Sequence, residues 1–339
     1  MLKYILKRIL MVIPVLLGVT VIIFLITRVL APDPAPVVLG EHATTEAMAA
    51  WRADNGLDDP IWLQYINFIV GALQGNLGTS YYTHQPVTAE IAARFPATAE
   101  LAICAIIVAS IVGVALGVLA AVKKNKAADN VSMLIALVGV SMPIFWSGIL
   151  LILLFSGILH WLPSSGRVSP LLQPSGGTGF FILDTIMQGN WAGLADVLVH
   201  LILPTLALSL YSMAIITRMT RSSMLETLNA DYIRTARAKG LSKGSVNIKH
   251  ALRNAMLPVS TVIGLQFGSL LGGALLTETV FAWPGIGKFA VDCVLKSDFP
   301  VVQGIVLLVA VILGIRSLVV DIVYAYLDPR IKYGAKEEG

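Results

Sequence analysis

The sequence predicts an all-α integral membrane protein with six transmembrane helices and both termini in the cytoplasm. Three observations carry that expectation. Of the 339 residues, 56% are hydrophobic and only 13% charged, against roughly 25% charged in an ordinary soluble domain. Such a chain has too little polar surface to cover itself in water. Second, six apolar runs are each long enough to cross a bilayer, which takes roughly 20 residues as helix. They are 9–27, 101–122, 131–159, 197–217, 257–277 and 301–325. Third, the basic residues concentrate in alternate connections, and this asymmetry sets orientation.

The first run follows Lys3, Lys7 and Arg8. This start imitates a signal peptide, but the run is too long, and the Arg28-Val-Leu-Ala-Pro-Asp stretch offers no good small-residue cleavage site, so an uncleaved first span is expected. Lys123, Lys124 and Lys126 lie between runs two and three. Eight cations, from Arg218 to Arg253, lie between runs four and five, and Arg330, Lys332 and Lys336 follow run six. The other connections hold only Arg28, Arg52, Arg94, Arg167, Lys288 and Lys296. The net charge of +4 therefore needs no nucleic acid to explain it. The two cysteines, Cys104 in a span and Cys293 in an outer loop, do not suggest a disulfide framework.

The outer loop 31–98 is long enough for a small folded piece and is acidic, with Asp33, Glu41, Glu46, Asp54, Asp58, Asp59 and Glu90 against Arg52 and Arg94. It reads either as a docking surface for an extracytoplasmic partner or as a solvated loop. Run two carries Gly113 and Gly117, and run five carries Gly264, Gly268 and Gly272. Small residues four apart let helices approach closely, as packing within the chain or as a subunit interface. In run three, Pro143 beside Phe145 and Trp146 either kinks a helix that lines a path or packs internally. Runs one to five contain no Asp, Glu, Lys or Arg, whereas run six carries Arg316 and Asp321. Arg316 reads as a snorkelling anchor, and Asp321, five residues on, is poorly spaced to pair with it. Glu278, at the outer end of run five, is costly there unless it pairs or meets water. It faces a water-filled cavity among the helices, where it could meet an ammonium group, or it is paired or exposed at the interface.

The stretch 231–258 places the most positive charge between the most hydrocarbon. Asp231 is positioned to cap a short helix. Tyr232, Ile233 and Ala236 then share one side, while Arg234 and Arg237 sit on another. Gly240 stands where a left-handed stop is needed. Ser242 or Ser245 starts a second helix, with Ile248, Ala251, Leu252 and Ala255 on its apolar face and Lys249 and Arg253 on its basic face. No hydrolytic or metal constellation is present. The only Gly-Lys pair, Gly287-Lys288, lacks both the leading glycine and the following Ser or Thr of a phosphate loop.

The string TRMTRSSMLE at 217–226, the string DYIRTARAKGL at 231–241 and the closing Leu257-Pro258 resemble the cytoplasmic coupling loop of ABC-importer permeases, specifically the dipeptide and oligopeptide B-type subunits. Gly56-Leu-Asp-Asp-Pro60, Gln64-Tyr65, Gly75-Asn-Leu-Gly78, Pro86-Val87, Ser141-Met-Pro-Ile-Phe-Trp146, Glu278-Thr-Val-Phe-Ala-Trp-Pro-Gly-Ile-Gly287 and Leu327-Asp-Pro-Arg330 resemble the same family. The chain departs from it in having Arg234-Thr235-Ala236 where most such loops read Glu-Ala-Ala, Asn76 where Asp is usual, and Arg316 where an uncharged residue is usual.

The resemblance implies a type I importer fold of the MetI-like kind. Segment 1–95 would be a first helix with a periplasmic loop, 96–327 the five-helix permease core with its coupling loop at 218–256, and 328–339 a cytoplasmic tail. It implies import of dipeptides or short peptides by alternating access, or of glutathione or a nickel complex by the same machine. The partners implied are a second homologous permease, two ATPases that bind the ATP and magnesium, a periplasmic peptide-binding protein and the bilayer. Asp231, Tyr232, Arg234, Thr235, Ala236, Arg237, Lys239 and Gly240 would couple to the ATPases, with Glu278, Phe145 and Trp146 at the cavity. This chain itself would be no enzyme and hold no cofactor. An ion-coupled secondary transporter would need ionisable residues at the midplane, which runs one to five lack, and a scaffold without substrate would leave the coupling loop without purpose.

Overall fold

The computed structural model describes residues 2–40 and 42–327, with the side chains of 2–7, 9 and 319–327 outside the description. The expectations for Glu41, the Asp321 side chain and the tail 328–339 fall outside the described residues.

The described backbone is helical between its loops, with one isolated antiparallel bridge, Thr79 to Pro86. Helix α1 (Leu2–Leu25) continues into a π-helical turn, Ile26–Leu30. The outer loop holds α2 (Ala35–Leu39), α3 (Thr45–Asp54) and α4 (Ile61–Leu73). Then come α5 (Val87–Val122), α6 (Ala127–Ser141), α7 (Ile144–Leu151) with a π turn Ile152–Ile158, α8 (Phe181–Met187) and α9 (Trp191–Leu228). The cytoplasmic connection forms α10 (Asp231–Ala238), α11 (Lys243–Ser245) and a π turn Val246–Leu252 that runs into α12 (Arg253–Gly273). The chain ends in α13 (Leu275–Val280), α14 (Ile286–Leu295) and α15 (Phe299–Leu327).

Among the described residues, five helices are long and apolar enough to cross a membrane: Leu10–Leu30, Val87–Val122, Trp191–Leu228, Lys243–Gly273 and Phe299–Leu318. The expected third span, 131–159, is not one helix. It is the pair α6 and α7, bent by 108° at the break. Met142 is extended (φ −89°, ψ 129°) because Pro143 follows it and excludes the helical conformation there. Counting that pair as one span gives six. The true helices also outrun the apolar runs. α5 has 36 residues and α9 has 38, about 54 and 57 Å at 1.5 Å per residue, against roughly 30 Å of hydrocarbon. Arg218 and Arg221, expected in a loop, therefore lie on α9.

The chain divides into two compact units, one of Ala97–Trp283 and one combining Met1–Pro96 with Pro284–Gly339. In the first, α6, α7, α8 and α12 all pack on α9. Its core joins Leu101, Ala105 and Ala109 of α5 to Leu201, Leu208 and Ile216 of α9 and Val259 and Leu270 of α12. Gly113 and Gly117 are packing glycines within the chain. A Cβ on Gly113 would lie 2.9 Å from the Met213 carbonyl oxygen, and one on Gly117 2.5 Å from Thr220 Cβ. Gly264 in run five differs, because a Cβ on it would meet nothing within 4 Å, whereas Gly268 on the same helix is buried. Arg167, which the sequence places in an open loop, is buried. It donates to Glu100 at 2.6 Å and lies over the Phe181 ring at 3.7 Å.

In the second unit α15 packs against α1 and α14. Its core gathers Ile23, Val87, Ile91, Ile286, Cys293, Val301, Val302 and Ile305. Gln303 donates to Thr27 Oγ1 at 2.5 Å, and Ser80 to Asp298 at 2.5 Å. The outer loop is a folded piece: Thr44 caps α3 through the Ala47 N–H, Arg52 pairs with Asp33, and Phe24 packs edge-on against Tyr65 of α4. Arg316 is half-buried on α15.

Candidate functional site

The cytoplasmic connection between α9 and α12 is built from two helices and a fixed turn. α10 begins after Ala230, which is extended and makes no side-chain cap. Asp231 is thus not the cap expected of it but the first helical residue. There its carboxylate still faces the positive end of the helix and accepts from Arg234 Nη1 at 3.3 Å. Ile233 is wholly buried and Ala236 nearly so, against Ala121, Met224, Val246, Ala251 and Ala255. Tyr232, expected on that inward side, is 45% exposed. A two-turn helix has a narrow buried stripe, and the residue adjacent to Ile233 is turned about 100° away from it. Arg234, Thr235, Arg237, Lys239 and Gly240 are exposed as well.

The helix ends in a Schellman motif. Gly240 has φ +77°, the Leu241 N–H donates to the Ala236 carbonyl at 3.4 Å, and the Gly240 N–H donates to that of Arg237 at 3.0 Å. Both bonds satisfy carbonyls the helix leaves open, and the left-handed residue is one that glycine enters without steric penalty. Two residues on, the Ser242 hydroxyl accepts from the Ser245 N–H at 3.3 Å and starts the next helix. That helix passes through the π turn, which inserts a residue into the 3.6 period. The buried positions are Val246, Ala251 and Ala255, with Leu252 half-buried. Ile248, expected on the apolar face, is 63% exposed beside Lys249 and Arg253.

The result is a surface held from beneath. Tyr232 and the cations point out, while Ile233 and Ala236 key α10 to α5, α9 and the α12 entry. Arg221 of α9 grips Asp129 of α6 with two hydrogen bonds, 2.7 and 2.8 Å, a clamp across 92 residues that no local pattern reveals. A cavity of about 670 Å³ opens beside α10, with Lys124, Arg237 and Lys243 around an apolar wall that includes Leu225, Leu228 and Leu241. The buried face of α10 is thus packed against residues of α5, α9 and the entry to α12.

The three proposed cavity residues are placed differently from one another. Phe145 and Trp146 on α7 are 42% and 45% exposed, while Gly148 beneath them sits where a Cβ would come 3.1 Å from the Phe281 ring. Glu278 on α13 is wholly buried and accepts from Thr98 Oγ1 at 2.6 Å. In this conformation its carboxylate offers a passing solute no open face, and the paired reading of this residue is the one the geometry fits.

In comparison with known proteins, residues 113–333 match the family model described as "Binding-protein-dependent transport system inner membrane component", and residues 1–102 match the one described as "Binding-prot-dependent transport system membrane comp, N-term". The chain is similar to the dipeptide transport system permease protein DppB of Alkalihalophilus pseudofirmus, 48% identical over 333 residues that cover 98% of this chain and 100% of that one. To the protein of the same name from Escherichia coli (strain K12) it is 48% identical over 339 residues, covering 98% and 99%. To the glutathione transport system permease protein GsiC of Salmonella choleraesuis it is 43% identical over 333 residues, covering 98% and 100%.

Proposed function

Since the chain belongs to the family of inner membrane components of binding-protein-dependent transport systems, we propose that it carries dipeptides or other short peptides from periplasm to cytoplasm as one permease of an ATP-driven importer. Its partners are a second, homologous permease, two ATPase subunits and a periplasmic peptide-binding protein. ATP and magnesium belong to the ATPases, and this chain supplies the path and the mechanical coupling. Both termini lie in the cytoplasm, in keeping with the cation asymmetry. The permease core begins near residue 96, and the first helix with its folded outer loop is an addition to it.

The observation that carries this reading is the α10 surface. Tyr232, Arg234, Thr235, Arg237 and Lys239 are exposed, while Ile233 and Ala236 are locked into the body and Gly240 fixes the exit angle. An exposed aromatic beside arginines is the composition of a protein-binding hot spot. When the ATPases close on ATP, this surface moves with them, and α9 and α12 carry the displacement into the spans. The peptide reading rests on the relatives' names, and glutathione, itself a tripeptide, falls within the same substrate class.

Isolation of the chain from its own host's membranes in mild detergent tests the assembly. Recovery of two ATPases, a second permease and a binding protein supports the proposal. Recovery of the chain alone, under conditions that keep other such complexes whole, contradicts it.

A further inference from the structure

The unit that combines residues up to Pro96 with those from Pro284 on contains a polar cavity of about 280 Å³, remote in sequence from α10. It is lined by Phe24 and Arg28 at the end of α1, by Asn55, Asp59, Gln64 and Asn67 around α4, and by Tyr81 and Gln303. Arg28 is the residue that calls for a ligand. Its Nη1 donates to the Tyr81 hydroxyl at 3.2 Å, and its Nε–H is buried and meets no acceptor among the described residues. No carboxylate among the described residues lies within ion-pairing distance of it. Tyr81 supplies no compensating charge, since burial pushes its phenol up from the ordinary value. Asp298 is already engaged by Ser80 at 2.5 Å and the Tyr81 N–H at 3.1 Å. A guanidinium presents five donors in a planar fork that matches a carboxylate.

The remaining wall has the opposite character. The amide nitrogens of Asn55, Gln64 and Gln303 are engaged within the protein, with Trp51 at 2.8 Å, Leu57 at 3.0 Å and Thr27 at 2.5 Å. Their carbonyl oxygens are left as acceptors, and the exposed carboxylate of Asp59 stands in the same lining. The cavity thus joins one cationic fork to a set of acceptors and one anion. Its volume lies just below the roughly 300–1,000 Å³ of drug-sized pockets.

We propose that this cavity binds a small zwitterion of amino-acid to dipeptide size, with Arg28 holding its carboxylate and Asp59 and the amide oxygens receiving its ammonium. The site is separate from the coupling surface and does not rest on the import reading, because binding here requires neither ATPase nor translocation.

Titration calorimetry on the full chain in lipid nanodiscs tests it, with glycylglycine as the probe and glycylglycinamide, which keeps the dipeptide length but has no carboxylate, as the comparison. Glycylglycine is expected to bind saturably and glycylglycinamide at least about tenfold more weakly, the loss expected for one charge-assisted pair. Arg28→Gln is expected to weaken glycylglycine by a similar factor. Asn67→Leu, on the exposed side of α4, narrows the cavity without touching Arg28 and is expected to weaken binding with the melting temperature unchanged. Wild-type protein that binds no glycylglycine overturns the proposal. So does equal binding of the two probes, or glycylglycine binding unchanged in both variants, which would place it elsewhere on the chain.

Discussion

Replacement of Gly240 isolates what the turn after α10 contributes. The residue has φ +77°, and a Cβ built on it meets nothing within 4 Å. Any defect is therefore conformational rather than a clash. An alanine held in the left-handed region is disfavoured by roughly 1–2 kcal/mol, which lowers the population of the native turn about 5–30-fold relative to glycine. A β-branched residue is disfavoured further. If the chain escapes the strain, it gives up the Leu241 and Gly240 capping bonds, each worth about 0.5–1.5 kcal/mol. Asparagine tolerates the left-handed region. The expected order of peptide uptake in proteoliposomes containing the assembled importer is Gly240 ≈ Asn > Ala > Val. ATPase activity should persist in Gly240→Val while uptake falls about tenfold or more, and the amount of inserted protein should be unchanged. Wild-type uptake by Gly240→Val, or equal damage by Asn and Val, would refute the conformational argument.

Three further predictions follow from specific contacts. Tyr232→Ala should leave the melting temperature of the isolated chain unchanged, because the ring is exposed, and should reduce ATPase co-purification in a pull-down. Gly117→Val should prevent accumulation of folded protein in membranes, since its Cβ would lie 2.7 Å from the Thr217 carbonyl oxygen as well as against Thr220, whereas Gly264→Ala should accumulate normally; overpacking of this kind costs typically 1–3 kcal/mol, and quantitative immunoblotting separates the two outcomes. Asp129→Asn removes a carboxylate that accepts two bonds from Arg221. It should destabilise the chain by about 2 kcal/mol, read as a lower temperature of half-aggregation in detergent.

The parts of this architecture that depend on neighbours in sequence are legible in the sequence. Gly240 as a left-handed stop, a helix start at Ser242 or Ser245, and the inward pair Ile233 and Ala236 all rest on local spacing and backbone chemistry. Tyr232 departs from its expected side because a two-turn helix buries too narrow a stripe to hold a three-residue apolar group. Ile248 departs from its expected face because a π turn has no distinctive composition and changes the angle between the residues on its two sides, so that Ala251 and Ala255 stay inward while Ile248 turns out. Hydropathy makes the third span look continuous because it runs unbroken through Met142-Pro143, while the backbone does not. Helix ends escape the apolar pattern for a related reason: beyond the hydrocarbon a helix can take polar residues, so α9 continues through Arg218 and Arg221 without an apolar signal. Long-range pairs were out of reach. Asp129 with Arg221, Glu100 with Arg167 and Thr98 with Glu278 join positions whose proximity only the packed helices create.

Under the import proposal, this chain moves peptides only when ATPases drive it. The most direct measurement is accumulation of a radiolabelled dipeptide in proteoliposomes that contain the complex purified through this chain, with its binding protein on the outer side and ATP sealed within. Accumulation is expected to require ATP hydrolysis and to be abolished when the ATPase subunits are stripped away. Accumulation that persists without ATP, or that follows an imposed ion gradient, would contradict it.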